Sequence, residues 1–315
     1  MRAMLRKPSR EEAFMSDGVL VLDAGFEARA KRNEPMSRHT SWHVGGPADV
    51  YFSPRDRADL LEFLATLPEG TPLFWLGLGS NLLVRDGGLK GVVISTHGTL
   101  GRLERIDETT VYGEAGVPCA KLAKQCVKWG LGPAEFFAGI PGTLGGALAM
   151  NAGAYGGETW RHVVEVETID RAGLEHTRKL DEFKVSYRHV EAPVQDEWFL
   201  GARLVFEHKP GANEAEIRAL LDKRKATQPI GEWNCGSVFT NPPKDHAARL
   251  IEASGLKGFR IGDASVSEKH ANFIINHGSA TAADLEGLIR HIQETVERLH
   301  GVRLSTEVRI LGDRA

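Results

Sequence analysis

"GIPGTLGGALAMNAGAYGG", residues 139–157, decides how this chain can fold. No charged residue interrupts the run from Phe136 to Gly157, and about 20 apolar residues suffice to cross a bilayer. Seven glycines lie within 139–157, however, together with Pro141 and Asn151. Each interior glycine costs a helix about 1 kcal/mol relative to alanine, and a proline about 3 kcal/mol. A soluble helix does not survive that sum, and a lipid-facing one would expose unsatisfied backbone. What remains is a glycine-rich loop with at most one helical turn around Ala147–Met150. Glycine tolerates positive φ and lets backbone N–H groups approach a ligand closely, which is how loops cradle phosphates. A tight crossover packed against the core would use the same composition.

A second loop, "GLGSNLLVRDGG" (77–88), follows the apolar run "PLFWLG". Leu82 stands where the dinucleotide fingerprint requires its third glycine, and "NLLV" reads as extended chain, which argues against a Rossmann domain. Two such loops could still grip one large, phosphate-bearing cofactor.

With 315 residues, 42% hydrophobic and 26% charged, the chain has material for two or three domains of about 150 residues each. A net charge of −3 and the absence of a basic stripe exclude a typical nucleic-acid binder. The best basic run, Lys223-Arg224-Lys225, reads as the solvated face of a helix. Cys119, Cys126 and Cys235 form no Cys-x-x-Cys pair, which favours a reducing compartment. The charged N-terminus has no apolar core of signal-peptide length, so a cytosolic protein without a membrane partner is expected.

Residues 1–36 read as a charged, weakly patterned extension with one short strand at "GVLVL" (18–22). Ser53 and Pro54 read as the opening of a helix carrying Leu60, Leu61, Leu64 and Leu67. "PLFWLG" and "GVVIST" (91–96) read as strands around the Gly77–Gly91 loop. "VPCAKLAKQCVKWG" (117–130) reads as a helix opened by Pro118 and stopped by Gly130. "VVEVETID" (163–170) and "FLGARLVFEH" (199–208) are strand-like, "EAEIRALLDKRKA" (214–226) is a helix, and "ANFIIN" (271–276) a short buried strand. The clearest helix is "TAADLEGLIRHIQETVERLHG" (281–301), with Thr281 and Asp284 as a capping box and Gly301 as its end. "VRLSTEVRIL" (302–311) alternates as a strand, with Val302, Leu304, Thr306, Val308 and Ile310 on one face. The mixture is α+β.

Taken singly, the remaining polar residues are weak signals. Ser237, in "NCGSVFTNP", lacks the Gly-x-Ser-x-Gly elbow and reads as a turn hydroxyl. Glu307 reads as a solvated carboxylate, and Arg188, in "KVSYRHV", as a surface cation. The histidines show no ligand spacing, so no metal is expected.

In their order along the chain these pieces are more specific. "HTSWHVGGPAD" (39–49), "GLGSNLLV" (77–84), "IPGTLGGALAMNAGAYGGE" (140–158), "YR" (187–188), "GSVFTNP" (236–242), "KHANFIIN" (269–276) and "TEVRILG" (306–312) resemble the UDP-N-acetylenolpyruvoylglucosamine reductases from about Arg38 to the C-terminus.

The resemblance implies a two-subdomain FAD-binding fold of the vanillyl-alcohol oxidase/p-cresol methylhydroxylase type, with a smaller C-terminal α+β substrate domain. The expected divisions are 37–105 and 106–209 for the two FAD-binding subdomains and 210–315 for the substrate domain, whose last strand could return to the flavin side. It implies non-covalent FAD held by Gly77, Gly79, Ser80, Asn81 and Leu82 on one side. On the other side stand Gly139, Ile140, Pro141, Gly142, Thr143, Gly145, Gly146, Asn151, Gly153 and Ala154. It implies NADPH as co-substrate, although no residue is identifiable as reading a 2′-phosphate, and the enolpyruvyl ether of UDP-N-acetylglucosamine as the substrate reduced to UDP-N-acetylmuramate in peptidoglycan precursor synthesis. By the same carry-over, Arg188 and Glu307 stabilise the enolate-like state, and Ser237 donates the proton to the α-carbon. Tyr155, Asn241 and Lys269 are implied at the substrate, and a monomer is favoured. His43 departs from the arginine frequent before Val-Gly-Gly. The segment between Arg188 and Ser237 is too short for an inserted lid, which implies the lidless, type II branch. Another FAD oxidoreductase or oxidase of this fold, or a non-catalytic nucleotide-sugar or flavin-binding module, would share the same loops.

Overall fold

The computed structural model describes residues 20–315. Its first sheet contains β1 (Lys31–Pro35), β2 (Pro47–Phe52), β3 (Leu73–Leu76) and β5 (Leu89–Ser95) in the order β1-β2-β5-β3. β5 runs parallel to both β2 and β3, so β2 and β3 need a crossover between them. Of the two short helices before and after β2, α1 (Ala24–Glu27) and α2 (Arg57–Thr66), the second supplies it. α2 buries Leu60, Phe63 and Leu64, and Phe63 stacks on Phe52 at 3.8 Å between ring centroids. Each such buried side chain contributes about 1.5–3 kcal/mol. Its start is not at Ser53 and Pro54, as the sequence suggested. Asp56 is the cap, accepting the Asp59 N–H at 2.9 Å.

The extension reading of residues 1–36 holds less of the chain than expected. Lys31–Pro35 pairs with β2, Leu22 is buried, Phe26 packs edge-on against Phe52 and Phe63, and Arg29 grips Asp59 through both guanidinium nitrogens. Leu20, Val21 and Leu22 form no strand, and Gly18 and Val19 of the expected strand lie outside the described residues.

The second sheet is antiparallel, built from β6 (Leu103–Arg105), β7 (Thr110–Glu114), β8 (Val163–Asp170), β9 (Glu175–Lys179) and β10 (Glu197–Val205) in the order β9-β8-β10-β7-β6. Helix α3 (Cys119–Lys128) buries Cys119, Leu122, Ala123, Cys126 and Val127 in this unit's core. Gly130, at φ 68°, ends it, as glycine does where a helix must turn left-handed.

The glycine-rich stretch holds more helix than its composition suggests. α4 spans Leu144–Met150, beginning three residues before the expected turn and containing Gly145 and Gly146. Tertiary bonds compensate for poor propensity: the N–H groups of Leu144 and Gly145 donate to Val117 O and Ala115 O, both at 2.8 Å. Asn151 ends the helix at φ 48°.

The C-terminal part contains α5 (Glu214–Thr227), α6 (Ala247–Ala253) and α7 (Ala282–His300), with strands β11 (Ala264–Val266) and β12 (Ile274–Asn276). α7 has the expected Thr281–Asp284 capping box and the left-handed Gly301. Its apolar stripe packs Leu285, Leu288, Ile289, Ile292 and Val296 with Leu250, Ile251, Val266 and Ile274. Residues 302–311 form a ladder only at β13 (Arg309–Leu311). Leu304 and Val308 are buried as the alternation required, but their neighbours bond to the irregular turn at Val238.

The last strand leaves its own domain. β13 pairs in parallel with β4 (Leu82–Val84), and Trp42, Val44 and Leu83 sit in the C-terminal core. Trp42 Nε1 donates to Ile274 O at 2.8 Å, and Asn276 Nδ2 to Trp42 O at 2.7 Å. Arg85 pairs with Glu286 on α7 at 2.8 Å, and Asp86 accepts the first N–H groups of that helix, Ala282 and Ala283. This joint sets Asn81 beside Glu307. Among the described residues no helix is long and apolar enough to cross a membrane.

Candidate active site

Two cavities meet where these units join. One, of about 330 Å³, is lined by Arg188, Ser237 and Glu307. The other, of about 450 Å³, runs between the Gly77–Leu82 loop and the start of α4. Ser80, Asn81, Ile140, Met150 and Ala152 line both, so the two adjoin.

Arg188 and Glu307 are neither of them at the surface. Arg188 follows Tyr187 in the loop joining strand Lys184–Ser186 to strand His189–Glu191, and its φ of 55° is unusual for a residue with a side chain. That turn carries the guanidinium inward, where Nε donates to Glu307 Oε1 at 3.1 Å and Nη2 to Gly153 O at 2.8 Å. Both side chains are 15% exposed. Burial pushes the Glu307 carboxyl above its ordinary value, and Arg188 opposes that shift. Ser237 lies in the same cavity, in a turn opened by Gly236 at φ 80°. Among the described residues nothing hydrogen-bonds its hydroxyl. Cys235 beside it is buried, and its thiol is pushed well above the usual range by burial and by Glu307.

The longer cavity is built for close approach. Gly79 has φ 63°, and a Cβ there would collide with the His39 carbonyl. A Cβ on Gly77 would stand 2.5 Å from Thr143 Oγ1, whereas Gly146 meets nothing nearer than 3.9 Å and faces open space. Two buried side-chain polar atoms among the described residues lack any partner, Thr143 Oγ1 and Trp75 Nε1. Both residues line this one cavity. Buried polar groups are seldom left unsatisfied, so two orphans in a glycine-walled cleft fit a polar ligand such as a flavin dinucleotide.

The structure gathers most of the expected residues. Gly77, Gly79, Ser80, Asn81, Leu82, Ile140, Gly142, Thr143 and Gly146 line the long cavity, and Gly139, Pro141, Gly153, Ala154, Tyr155 and Asn241 line the catalytic one. Three expectations need correction. Gly145 turns away from the cleft, because a Cβ there would stand 2.8 Å from the Ala115 Cβ; this glycine serves packing. Asn151 is buried and internally engaged, donating to Ser186 O at 3.0 Å and accepting from Trp160 N at 3.1 Å. Lys269 lines neither cavity, and its ammonium donates to Lys225 O at 2.6 Å.

Tyr155, at φ 53°, donates its hydroxyl to Leu220 O at 2.7 Å. Asn241 spends its Oδ1 on Ala247 N at the start of α6. His43 packs at a tilt against Trp233, 4.3 Å between ring centroids, and lines a further cleft with Arg38, His39 and His97 that borders the long cavity at Leu76–Leu78. The sequence reading missed Arg224, Gln228 and Asn272, all on the catalytic cavity. Arg224 belongs to the run taken as a solvated face, yet burial lowers its guanidinium from the ordinary value, with Tyr155 its one opposing influence. Its signal was spacing: Ile217, Leu220 and Arg224 lie one helical turn apart. Among the described residues no group of three or more His, Cys, Asp or Glu is placed to hold a metal.

Comparison with known proteins agrees with this geometry. Residues 48–177 match the FAD binding domain family, and residues 228–311 match the C-terminal domain of UDP-N-acetylenolpyruvoylglucosamine reductase. The expected FAD-binding fold with a C-terminal α+β domain is thereby borne out. The chain is 59% identical to the UDP-N-acetylenolpyruvoylglucosamine reductase of Alkalilimnicola ehrlichii over 283 residues, covering 89% of this chain and 94% of that one. It is 55% identical to that of Methylococcus capsulatus over 284 residues, covering 89% and 92%. The crystal structure of the reductase from Thermus caldophilus superposes with a TM-score of 0.76 at 32% identity, covering 90% of this chain and 99% of that one. Likeness sustained at this identity along nearly the whole chain, with both domains in their order, means that the chain belongs to the UDP-N-acetylenolpyruvoylglucosamine reductase family.

Proposed function

We propose that this chain reduces the enolpyruvyl ether of UDP-N-acetylglucosamine to UDP-N-acetylmuramate in the cytosol, with NADPH as donor and non-covalent FAD as carrier. The observation that carries the reading is the largely buried Arg188–Glu307 pair lining one cavity with Ser237, beside the glycine-walled cleft. Bound FAD supplies the hydride chemistry, from NADPH to the methylene carbon of the enolpyruvyl group.

The protein's part is electrostatic and protonic. Hydride addition to the methylene carbon leaves negative charge on the α-carbon and its carboxylate. Arg188, held by Glu307 and by the Gly153 carbonyl, places a cation where that charge grows, and low local polarity strengthens the interaction. Glu307, its carboxyl pushed up by burial and opposed by Arg188, accepts from the guanidinium Nε and so fixes the cation beside the substrate carboxylate. Ser237 gives its hydroxyl proton to the α-carbon and regains one from water. So weak an acid serves only because the developing carbanion is strongly basic and held in contact.

Gly77, Gly79, Ser80, Asn81 and Leu82 form one wall for FAD, with Gly139–Thr143, Gly146, Gly153 and Ala154 opposite. Residues 37–105 and 106–209 act as the two halves of the cofactor domain and 210–315 as the substrate domain. The β4–β13 pairing supports a last strand that returns to the flavin side. Residues 189–236 are occupied by a hairpin strand, β10 and α5, which supports the type II assignment. The reading is tested by mixing the flavin-loaded protein with NADPH and the enolpyruvyl sugar nucleotide. Stoichiometric UDP-N-acetylmuramate supports it, whereas NADPH consumption coupled only to oxygen contradicts it.

A further inference from the structure

Ser237 is useful as a proton donor only if its hydroxyl is held at a fixed place relative to Glu307. Two partners hold the short strip that carries it. On one side Val238 O accepts from Glu307 N at 2.8 Å and Val308 N at 3.3 Å, Thr240 N donates to Ser305 O at 3.0 Å, and Phe239 bridges to Thr306. On the other side Asn272 holds Val238 and Phe239, while Asn234 Oδ1 accepts from Gly236 N at 3.0 Å just before Ser237. Asn272 Oδ1 accepts from Phe239 N at 3.0 Å, its Nδ2 donates to Phe239 O at 2.8 Å, and its own carbonyl accepts from Val238 N at 2.9 Å.

Asn272 is buried, 4% exposed. Its carboxamide meets both the donor and the acceptor of one peptide residue. Only an amide does this at that length. A carboxylate would set an acceptor against the Phe239 carbonyl, and an apolar side chain would orphan both groups. A sharp turn at His270–Phe273, closed by Phe273 N donating to His270 O at 3.0 Å, orients the amide. Val238 and Phe239 therefore lie in a clamp, with the Glu307 backbone as one jaw and Asn272 as the other.

We infer that Asn272 is a positioning residue for the protonation step: it fixes the Ser237 hydroxyl against Glu307 without touching the reacting atoms. The inference rests on the reading of Ser237 as proton donor. A misplacement of about 1 Å in such a group can cost about 10²-fold in rate, and loss of the carboxamide frees both polar groups of Phe239, two residues from Ser237, while the backbone bond from Val238 N to Asn272 O remains.

The test uses FAD-loaded protein carrying Asn272→Ala, Asn272→Asp, Ser237→Ala, or Ser237→Ala with Asn272→Ala. Stopped-flow absorbance follows flavin reduction by NADPH and flavin re-oxidation by the enolpyruvyl sugar nucleotide separately. Asn272→Ala is expected to leave the first within about twofold and to slow the second by about 30- to 100-fold, the misplacement range above. Substrate dissociation constants should move little, and amide hydrogen exchange of residues 236–239 should quicken. The double variant should be no slower than Ser237→Ala alone, because a residue acting through Ser237 has nothing left to position. Multiplicative losses in the double variant, equal slowing of both half-reactions, or unchanged exchange at 236–239 would overturn the inference. So would loss of flavin or of cooperative unfolding in both Asn272 variants, which would make the residue a folding element. If Ser237→Ala alone slows neither half-reaction, the proton-donor reading itself fails, a result distinguishable from failure at Asn272.

Discussion

Thr143→Val should move the stability of the apoprotein and its affinity for FAD in opposite directions. Thr143 is 1% exposed, sits at the N-cap of α4 and makes no side-chain capping bond. Its hydroxyl points between Gly77 and Gly146 with no partner. An unsatisfied buried hydroxyl costs about 1–3 kcal/mol, and valine keeps its shape while removing the oxygen. The apoprotein should therefore gain about 1 kcal/mol, which for a chain of this size raises Tm by about 2 °C. If the same hydroxyl donates to the cofactor diphosphate, its loss removes a bond to a charged acceptor worth about 1.5–3 kcal/mol. Affinity should then fall about 10- to 100-fold, since about 1.4 kcal/mol is tenfold. Thermal melts of the apoprotein and titration of FAD by fluorescence quenching read the two effects. Unchanged FAD affinity in a stabilised variant would refute the assignment of this wall to the cofactor.

Gly146→Val should abolish FAD binding more than folding, because the new side chain enters the open cleft; full flavin occupancy in that variant would leave this glycine no role at the cofactor. Gly145→Val, one residue away, should instead lower Tm sharply through collision with Ala115, read by the same melts. Glu286→Gln should weaken the joint between α7 and the loop that follows β4. Arg85 holds the Glu286 carboxyl down at about 2, below an unfolded value of about 4.3, so its contribution is present above the unfolded value and is lost as pH falls through the folded one. Discounted for partial exposure, about 1–2 kcal/mol should separate the urea midpoints of variant and parent above pH 5 and shrink below pH 4. Flavin released by denaturation should leave no colour on the chain, and colour that stays would mean a covalent link.

Elements whose signals are local were legible in the sequence. The Thr281–Asp284 box and Gly301 fix both ends of α7 within the chain itself, and Pro118 with Gly130 does nearly the same for α3. Only the last turn of α4 was legible, because its first residues are held by carbonyls of Ala115 and Val117 that propensity does not see. Alternation over 302–311 reported the burial of Leu304 and Val308 but not the exposure of Thr306, the inward Glu307 or the pairing, since the partner of residues 305–308 is the turn at Val238–Thr240 rather than a strand. At the site, motif order found the regions, and helix phase chose the side chains. Gly145 and Gly146 are neighbours on α4 yet face opposite ways. In "KHANFIIN" the residues that line the cavity are Asn272 and Phe273 rather than Lys269. Arg224 escaped notice because the basic run was read as a whole, although its helical spacing from Ile217 and Leu220 separates it from Lys223 and Lys225.

The central claim is a division of labour in which Ser237 serves protonation alone. Ser237→Ala, loaded with FAD and mixed in turn with NADPH and with the enolpyruvyl sugar nucleotide, tests it most directly. The account predicts near-normal flavin reduction, retained substrate binding, and re-oxidation slowed by about 10² or more, the lower range for general acid catalysis. Equal slowing of both half-reactions, or of neither, would contradict it and leave Ser237 a structural turn.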